Sequence, residues 1–298
     1  MDLTVGPIAF FWDAARVREF YAGLAKAPVA RVVIGEWVCP KRLPFWQNEI
    51  PDAVETLIAA GKEVALSTLA LITLVRERRQ TADLLGMGLP VEVNDLSALQ
   101  HIPAGTPFQV GPMVNVYNEG TLQWLAKRGA TRIALPPELP LSSVATLAGA
   151  GREMGVAVEV WGHGRVPLAI SGRCYHARMN GRSKDNCQFV CGDDPDGRDV
   201  DTLDGRRFLT VNGVQTLGRT ITSAARQIDE LKAAGVASIR LSPHVGDFVG
   251  VARAWSEALA GDQAALLPAL DRLMLDAIFS DGFLAGHAGA SMDEVAAG

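Results

Sequence analysis

The chain has 298 residues, with 28 Lys and Arg against 33 Asp and Glu, and a formal net charge of -5. This acidic balance disfavours binding along a phosphate backbone, so we expect no nucleic-acid partner. The most apolar segment, "ALSTLALITLV", falls short of the roughly 20 apolar residues of a membrane span, and the first residues lack a basic signal-peptide region; we expect a cytoplasmic protein with no membrane span.

Short apolar runs alternate with amphipathic segments of helical period along most of the chain. The pattern predicts eight strands, namely "TVGPIAFFW", "RVVIGEWV", "KEVALST", "PVEVND", "PFQVGPMVN", "TRIALPP", "VAVEVWGHG" and "VASIRLSP". Several of the intervening predicted helices close at a glycine suited to a left-handed C-cap: Gly61, Gly129 and Gly155. Eight such units predict an α/β fold, a (β/α)8 TIM-like barrel, and no segment has a dinucleotide-binding fingerprint.

A long insertion follows the seventh predicted strand, from about residue 165 to 219. It contains the loop signal "CGDDPDGRD" and then a predicted hairpin, "RRFLTVNGVQTLG", with Asn212-Gly213 as its turn. An insertion of this length inside a compact domain is usually functional. We predict a single barrel domain over 1–288 that includes this insertion, and a loose C-terminal tail over 289–298.

The insertion holds three of the four cysteines, Cys174, Cys187 and Cys191, and the fourth, Cys39, follows the second predicted strand. Because the carboxyl ends of parallel strands meet on one face of a barrel, we expect all four sulfurs on the face where barrel enzymes have their active sites. Four thiolates suit an iron-sulfur cluster. A zinc site, a redox disulfide and inert thiols remain open on the residues alone.

Further polar residues lie at or near the carboxyl ends of predicted strands or in the insertion. The catalytic candidates are Glu36, Glu159 and His163, and the substrate-binding candidates are Asn115, Arg165, Arg173 and Arg240. His176 and His244 are additional candidates for proton transfer. The alternative for Glu36 is a hydrogen-bonded structural role, and the insertion's basic residues can lower thiol pKa values, offset an anionic cluster or bind an acidic substrate.

The segment "EVWGHGRVPLAISGRCYHARMNGRSKDNCQFVC" resembles the signature of the collagenase-like peptidase family, in its UbiU/UbiV branch, and is most similar to the UbiV-type members. Five positions keep the signature's frame: Glu159, Gly164, Ser171, Gly172 and Cys174. Pro167 stands where other members carry a cysteine, and UbiV-type members recruit a cysteine from the second strand, which Cys39 supplies here. The resemblance extends from the first strand to the C-terminal helix.

This resemblance implies a 4Fe-4S cluster on Cys39, Cys174, Cys187 and Cys191, and a heterodimer with a UbiU-like protein. It also implies a part in hydroxylating the aromatic ring of polyprenylated ubiquinone precursors without dioxygen. Prephenate is the implied oxygen source, and a lipid-carrying accessory protein is a further implied partner. Proteolysis is not expected, because the chain has no HExxH motif and no Ser/His/Asp order.

Other functions fit the same cysteines. In a non-catalytic electron-relay or structural subunit, a cluster stabilises the insertion while the chemistry takes place in the partner. A zinc-stapled hydrolase or peptidase also uses four thiols. The family's RNA-modifying members are a weaker alternative, because no basic domain is appended to this chain.

Overall fold

The computed structural model describes residues 1–292. Within this range the strands are β1 Asp2–Val5, β2 Arg31–Ile34, β3 Glu63–Ser67, β4 Val91–Val93, β5 Phe108–Val110, β6 Ala130–Ala134, β7 Ala157–Ile170, β8 Arg198–Asp201, β9 Arg207–Asn212, β10 Gln215–Ser223, β11 Ser238–Leu241 and β12 Phe279–Ser280. The α-helices are α1 Ala14–Ala25, α2 Ile50–Ala59, α3 Val75–Leu85, α4 Glu119–Lys127, α5 Leu141–Glu153, α6 Tyr175–Met179, α7 Ile228–Ala234, α8 Phe248–Ala260, α9 Leu266–Leu273 and α10 Gly282–Ala285.

Eight parallel strands close into a barrel, which confirms the predicted fold. The strands β1 to β7 pair in sequence order, and β11 pairs in parallel with both β7 and β1. The main apolar core lies between the sheet and the ring of helices, where the outward-facing side chains of the strands pack against the helices. The loops after β2 and after the barrel part of β7 both leave from the barrel face that carries the carboxyl ends of the strands.

Prolines explain why two barrel strands are shorter than predicted. β1 ends at Val5, just before Gly6-Pro7, and β5 ends at Val110, just before Gly111-Pro112. Proline supplies no backbone N–H, so a central strand does not continue through it. The predicted glycine caps are correct, since Gly61, Gly129 and Gly155 all have positive φ.

β7 is longer than predicted and belongs to two parts of the sheet. Its first half lies in the barrel between β6 and β11, and its second half pairs with β10 in antiparallel orientation outside the barrel. The register shifts near Leu217, opposite Pro167, and such an irregularity accommodates the missing proline N–H. β9 and β8 extend this antiparallel sheet, so the insertion is built onto a barrel strand.

The predicted hairpin forms, but its turn is displaced by one residue. Asn212 pairs with Gln215, so the two turn residues are Gly213 and Val214. Gly213 has a φ of 64°, and glycine at the first turn position is typical of a two-residue hairpin loop with one left-handed residue.

Two arginines and two glutamates occupy the barrel interior, where branched apolar side chains are usual. Arg240 donates to Glu92 and, at 2.5 Å, to Glu159, while Arg31 lies 3.5 Å and 3.6 Å from the same two carboxylates. All four side chains are at most 2% exposed. The two buried positive charges balance the two buried negative charges, so these four side chains leave no net charge in the barrel interior.

The predicted tail begins inside the described range. The carbonyl of Ser291 accepts hydrogen bonds from the backbone N–H groups of Asp281 and Gly282. Residues 293–298 of that tail lie outside the described residues, and the looseness of the tail stays a prediction. Among residues 1–292, no helix has the length and apolar character needed to cross a bilayer.

Replacing Arg240 by Met should lower the free energy of unfolding by about 3–5 kcal/mol, because Glu92 and Glu159 would lose the guanidinium that donates to both and would keep only the more distant Arg31 as a shared partner. Chemical denaturation at pH 7 measures this loss. Arg206→Met is the matched control, since Arg206 pairs with Asp204 at the surface and should change stability little. If Arg240→Met lowers the free energy of unfolding by less than about 1 kcal/mol, the ion network does not stabilise the barrel.

The stability should also depend on pH through Glu159. Burial opposes ionisation, but Arg240 and Arg31 outweigh it and hold the pKa of Glu159 at about 2, below its ordinary 4.5. The stabilisation is therefore complete above about pH 5 and is lost as the pH falls towards 2, by about 3 kcal/mol in all. Denaturation at stepped pH values should give a shallower acid slope for Glu159→Gln than for the parent chain; equal slopes would contradict the assignment.

Candidate metal centre

The structure brings the four cysteines together at the carboxyl face of the barrel. One cavity has as its lining Cys39, Lys41, Arg42, Cys174, Lys184, Cys187, Phe189, Val190, Cys191 and Gly213. All four thiols are free; Cys174 and Cys191 are buried, while Cys39 and Cys187 are partly exposed. Across residues 1–292 no three His, Cys, Asp or Glu side chains already stand close enough to hold a single metal ion.

The loop that carries Cys39 is organised by Glu36. One carboxylate oxygen of Glu36 accepts the backbone N–H groups of Val38 and Cys39, both at 2.9 Å. Burial raises the pKa of Glu36, and Arg42 and these two hydrogen bonds partly oppose the rise. Glu36 thus lies next to the thiol cavity as a residue that positions Cys39, which is the structural alternative considered for it.

Arg42 places a buried cation against the sulfurs. Its guanidinium donates to the carbonyl of Ala9 at 2.9 Å and to Asn212 Oδ1 at 2.8 Å, and only 1% of the residue is exposed. Burial opposes the charge, but Cys191 and Glu36 more than offset this, so the pKa of Arg42 is raised. A permanent positive charge therefore lies beside Cys191.

The tip of the β9–β10 hairpin fixes the segment that holds Cys174. The carbonyl of Gly213 accepts from His176 N–H at 3.2 Å, and the carbonyl of Val214 accepts from Ser171 N–H at 3.0 Å. Cys174 itself precedes α6, where its sulfur accepts the N–H of Ala177 at 3.4 Å. The hairpin thereby serves as a scaffold for the thiol site.

The backbone between Cys187 and Cys191 is held in an unusual shape. Gln188 and Phe189 both have left-handed φ values, 47° and 55°. Phe189 packs against Phe45, with ring centroids 4.5 Å apart, and against Phe11 at 5.9 Å. These aromatic contacts stabilise an otherwise unfavourable backbone conformation of Gln188 and Phe189. The resulting turn brings both Cys187 and Cys191 to the cavity.

Lysines complete the positive surroundings. Lys41 Nζ lies 3.7 Å from Cys187 Sγ and donates to the carbonyl of Lys184 at 2.8 Å, so it joins the β2 loop to the insertion. Burial raises the pKa of both Cys39 and Cys191, with Arg42 opposing. Metal binding would therefore release protons from these thiols, and the nearby cations would stabilise the resulting thiolates.

Two of the predicted site residues lie in the barrel's ion network and not at the thiol cavity. Glu159 is fully buried between Arg240 and Arg31, and Arg240 is bound by Glu159 and Glu92. Their carboxylate and guanidinium groups are already engaged with each other. The structure thus places the signature residue Glu159 where it stabilises the barrel beneath the site.

The histidine candidates form a separate buried pair. His244 Nδ1 donates to the carbonyl of Val245 at 2.8 Å, so its Nε2 accepts from His163 Nε2 at 3.2 Å. Burial lowers the pKa of both rings, so both are neutral at pH 7. Arg165 lies nearby, 3.6 Å from Asp196, and Asp196 accepts the N–H of Val245. His176 belongs to neither group; its Nε2 is 2.8 Å from Asp194.

The last two substrate-binding candidates differ in their positions. Arg173 lines a cleft that adjoins the thiol cavity and also contains Cys174. Asn115 is exposed and ends a short 3-10 helix, Pro112–Val114, with a left-handed φ of 60° that asparagine tolerates. Only Arg173 is therefore next to the cysteines.

Sequence reasoning missed Arg42 and Lys41 as parts of the site. Both occur in "CPKR", directly after Cys39 and outside the insertion that supplies the predicted basic residues. A cation within three residues of a candidate ligand was the available signal. Its burial depends on the hairpin tip, and this tertiary contact is not visible in the sequence.

The fold and the site together define a (β/α)8 barrel protein with a thiol-lined cavity at its carboxyl face. The chain belongs to peptidase family U32, whose model matches residues 14–291.

Several solved structures are similar to this chain at low identity. An uncharacterized B. cereus protein is 10% identical over 88% of this chain, with a TM-score of 0.46, and the match spans 65% of that protein. Thiamine phosphate pyrophosphorylase from Pyrococcus furiosus is 11% identical, with 92% of this chain and 96% of that chain covered and a TM-score of 0.43. A putative fructose-1,6-biphosphate aldolase from Coccidioides immitis is 12% identical over 91% of this chain and 89% of its own, with a TM-score of 0.42.

Gly213→Ala should destabilise the site through two effects. A Cβ at this position would lie 2.4 Å from Arg42 Nη2, and the φ is left-handed. Gly205→Ala is the matched control, because its φ is +78° and nothing lies within 4 Å of the added Cβ. We expect a loss of about 1 kcal/mol for the control and about 3 kcal/mol for Gly213→Ala, measured by chemical denaturation. Equal losses would contradict the tight packing of Arg42 against the turn.

Proposed function

We propose that the chain is the iron-sulfur component of an oxygen-independent hydroxylase. The observation that carries this proposal is the cavity in which four free cysteines from two distant parts of the chain meet. One cysteine per iron is the usual ligation of a 4Fe-4S cluster, so this donor set fits. Cys39, Cys174, Cys187 and Cys191 would hold the cluster.

The cluster would supply one-electron transfer at the carboxyl face of the barrel. Arg42, Lys41 and Lys184 would offset the negative charge of four thiolates, and Glu36 would keep the Cys39 loop in place. The neutral His163–His244 pair lies where the barrel part of β7 ends and just after β11, and a proton taken up by one ring would be matched by a proton given up by the other, so that the pair stays neutral. These are the tasks that the chain's own residues perform in the proposal.

The substrate assignment comes from the resemblance to UbiV-type proteins. In this proposal the chain acts on the aromatic ring of a polyprenylated ubiquinone precursor, which a lipid-carrying accessory protein delivers. Ring hydroxylation replaces a C–H bond by C–OH and removes two electrons from the ring. A donor R–OH that becomes R–H supplies the oxygen and takes up both electrons, so no dioxygen is required.

A positively charged cleft supports prephenate, a dicarboxylate, as that donor. The cleft adjoins the thiol cavity at Cys174 and has six basic lining residues: Lys41, Arg76, Arg173, Arg178, Arg182 and Lys184. It also contains two acids, Asp185 and Glu77, and the Glu77 carboxylate accepts the N–H groups of Thr73 and Leu74. Six cations against two carboxylates leave the cleft with an excess of positive charge that attracts carboxylates.

Exposed apolar side chains on the insertion support a heterodimer with a UbiU-like protein. Five apolar residues of the insertion are each more than two fifths exposed: Leu168, Tyr175, Met179, Leu203 and Phe208. Large exposed apolar groups are typical of protein interfaces. If the partner does the chemistry, the cluster of this chain would be an electron relay or a structural element.

Metal analysis tests the proposal directly. The chain, purified without oxygen together with its partner, should contain about four irons and four sulfides, with a visible charge-transfer band. Cys39→Ala should lose the cluster and keep the fold, as judged by circular dichroism. Ser171→Ala, which alters the same signature without touching a thiol, is the control and should keep full iron content. Zinc at one ion per chain would instead support the zinc-stapled hydrolase.

A second readout addresses the role of the cluster. A chain with all four cysteines changed to Ala should fail to support quinone production under anaerobic growth. If this variant folds, binds the partner and supports normal quinone levels, both the catalytic and the relay roles are wrong.

A further inference from the structure

The ring of helices has an opening between α2 and α3. α2 packs on α1, α4 packs on α5, and α8 packs on α9, whereas α2 and α3 flank a cavity of about 590 Å³. This volume is in the range of small-molecule binding sites. Adjacent barrel helices usually pack against each other, so a cavity between two of them is a candidate binding site.

The wall of this α2–α3 cavity is mainly apolar. Its apolar side chains come from α2, α3, β3 and the loop after α3, and include Ile50, Val54, Leu66, Leu84, Met87 and Leu89. A hydrocarbon would gain contacts with these apolar side chains and would not need hydrogen bonds from the wall.

The buried polar groups at the strand ends of the cavity are already satisfied. Glu36 accepts the N–H groups of Val38 and Cys39, Ser67 Oγ accepts from Asn94 Nδ2, and Thr68 Oγ1 accepts from Asn94 N–H. They offer a ligand little hydrogen bonding, which again favours a hydrocarbon over a polar molecule.

The α2–α3 cavity leads to the cysteines. Pro40, the residue after Cys39, lines this cavity and also the basic cleft that contains Cys174. Glu36, which positions Cys39, lines its inner end. A molecule whose tail lies between α2 and α3 would therefore present its head beside the thiol site.

We infer that the α2–α3 cavity binds the prenyl tail of the phenol substrate and directs the ring towards Pro40 and Cys39. This inference rests on the proposed function for the identity of the head group. The mainly apolar wall selects the hydrocarbon part of the ligand. Part of a longer tail can continue out of the cavity, because the cavity is open to solvent on one side.

Binding of a farnesylated phenol to the reconstituted full-length chain tests the inference, with phenol itself as the tail-free probe. Val54→Trp and Leu84→Trp fill the cavity from its two sides and should each weaken farnesylphenol binding at least tenfold. Ile58→Trp is the matched control, one turn further along α2 at a side chain that is 50% exposed, and should bind as the parent does. Calorimetry gives the affinities, and circular dichroism checks the fold of each variant.

Several outcomes would overturn the inference. These are equal affinity for phenol and farnesylphenol, unchanged farnesylphenol binding in both filled variants, or loss of the UbiU-like partner in the filled variants while farnesylphenol still binds. The last result would mean that a side chain of the partner occupies the cavity.

Iron content separates this inference from the proposed function. Val54→Trp should keep the iron and the visible spectrum of the parent, because Val54 lies outside the thiol cavity. A parent chain without iron would refute the cluster, whereas a parent with full iron and no preference for the farnesylated probe would refute only the tail site.

Discussion

The thiol site depends on the burial of one cation, the guanidinium of Arg42. A buried charge costs several kcal/mol unless its partners are well placed, so the groups around it must keep their positions together. Those groups come from the loop after β1 through Ala9, from the hairpin tip through Asn212, and from the thiol segment through Cys191. None of these segments can shift alone without removing one of the partners of this buried cation.

The barrel carries two charge systems that serve different ends. In its interior, Arg31 and Arg240 balance Glu92 and Glu159, and the result is a closed network that stabilises the fold. Around the thiol cavity and the basic cleft, cations exceed carboxylates, and thiolates or an anionic ligand would offset the excess. The residues that stabilise the fold and the residues that line the candidate site therefore lie at different depths along the barrel axis, as is common in this fold.

Much of the fold was predictable from the sequence, because parallel strands buried on both faces give continuous apolar runs such as "VVI" in β2 and "VAL" in β3. The meeting of Cys39 with the insertion's cysteines followed from strand direction alone. The continuation of β7 through Pro167 was not predictable, since it depends on an irregular pairing with β10. The position of Glu159 and Arg240 inside the barrel was not predictable either, because a residue's depth along a barrel strand cannot be read from a short motif; their part in the function stays a prediction.

The shared strand β7 also determines when the thiol site can exist. Cys39 leaves the ribosome long before the hairpin tip that buries Arg42, and the loop between them is closed only by the completed barrel. A nascent chain therefore carries an isolated thiol next to an unpartnered cation. The four sulfurs meet only after nearly all of the domain has been synthesised and folded, so a metal or cluster held by all four, as proposed above, could enter only a finished barrel and not an emerging peptide.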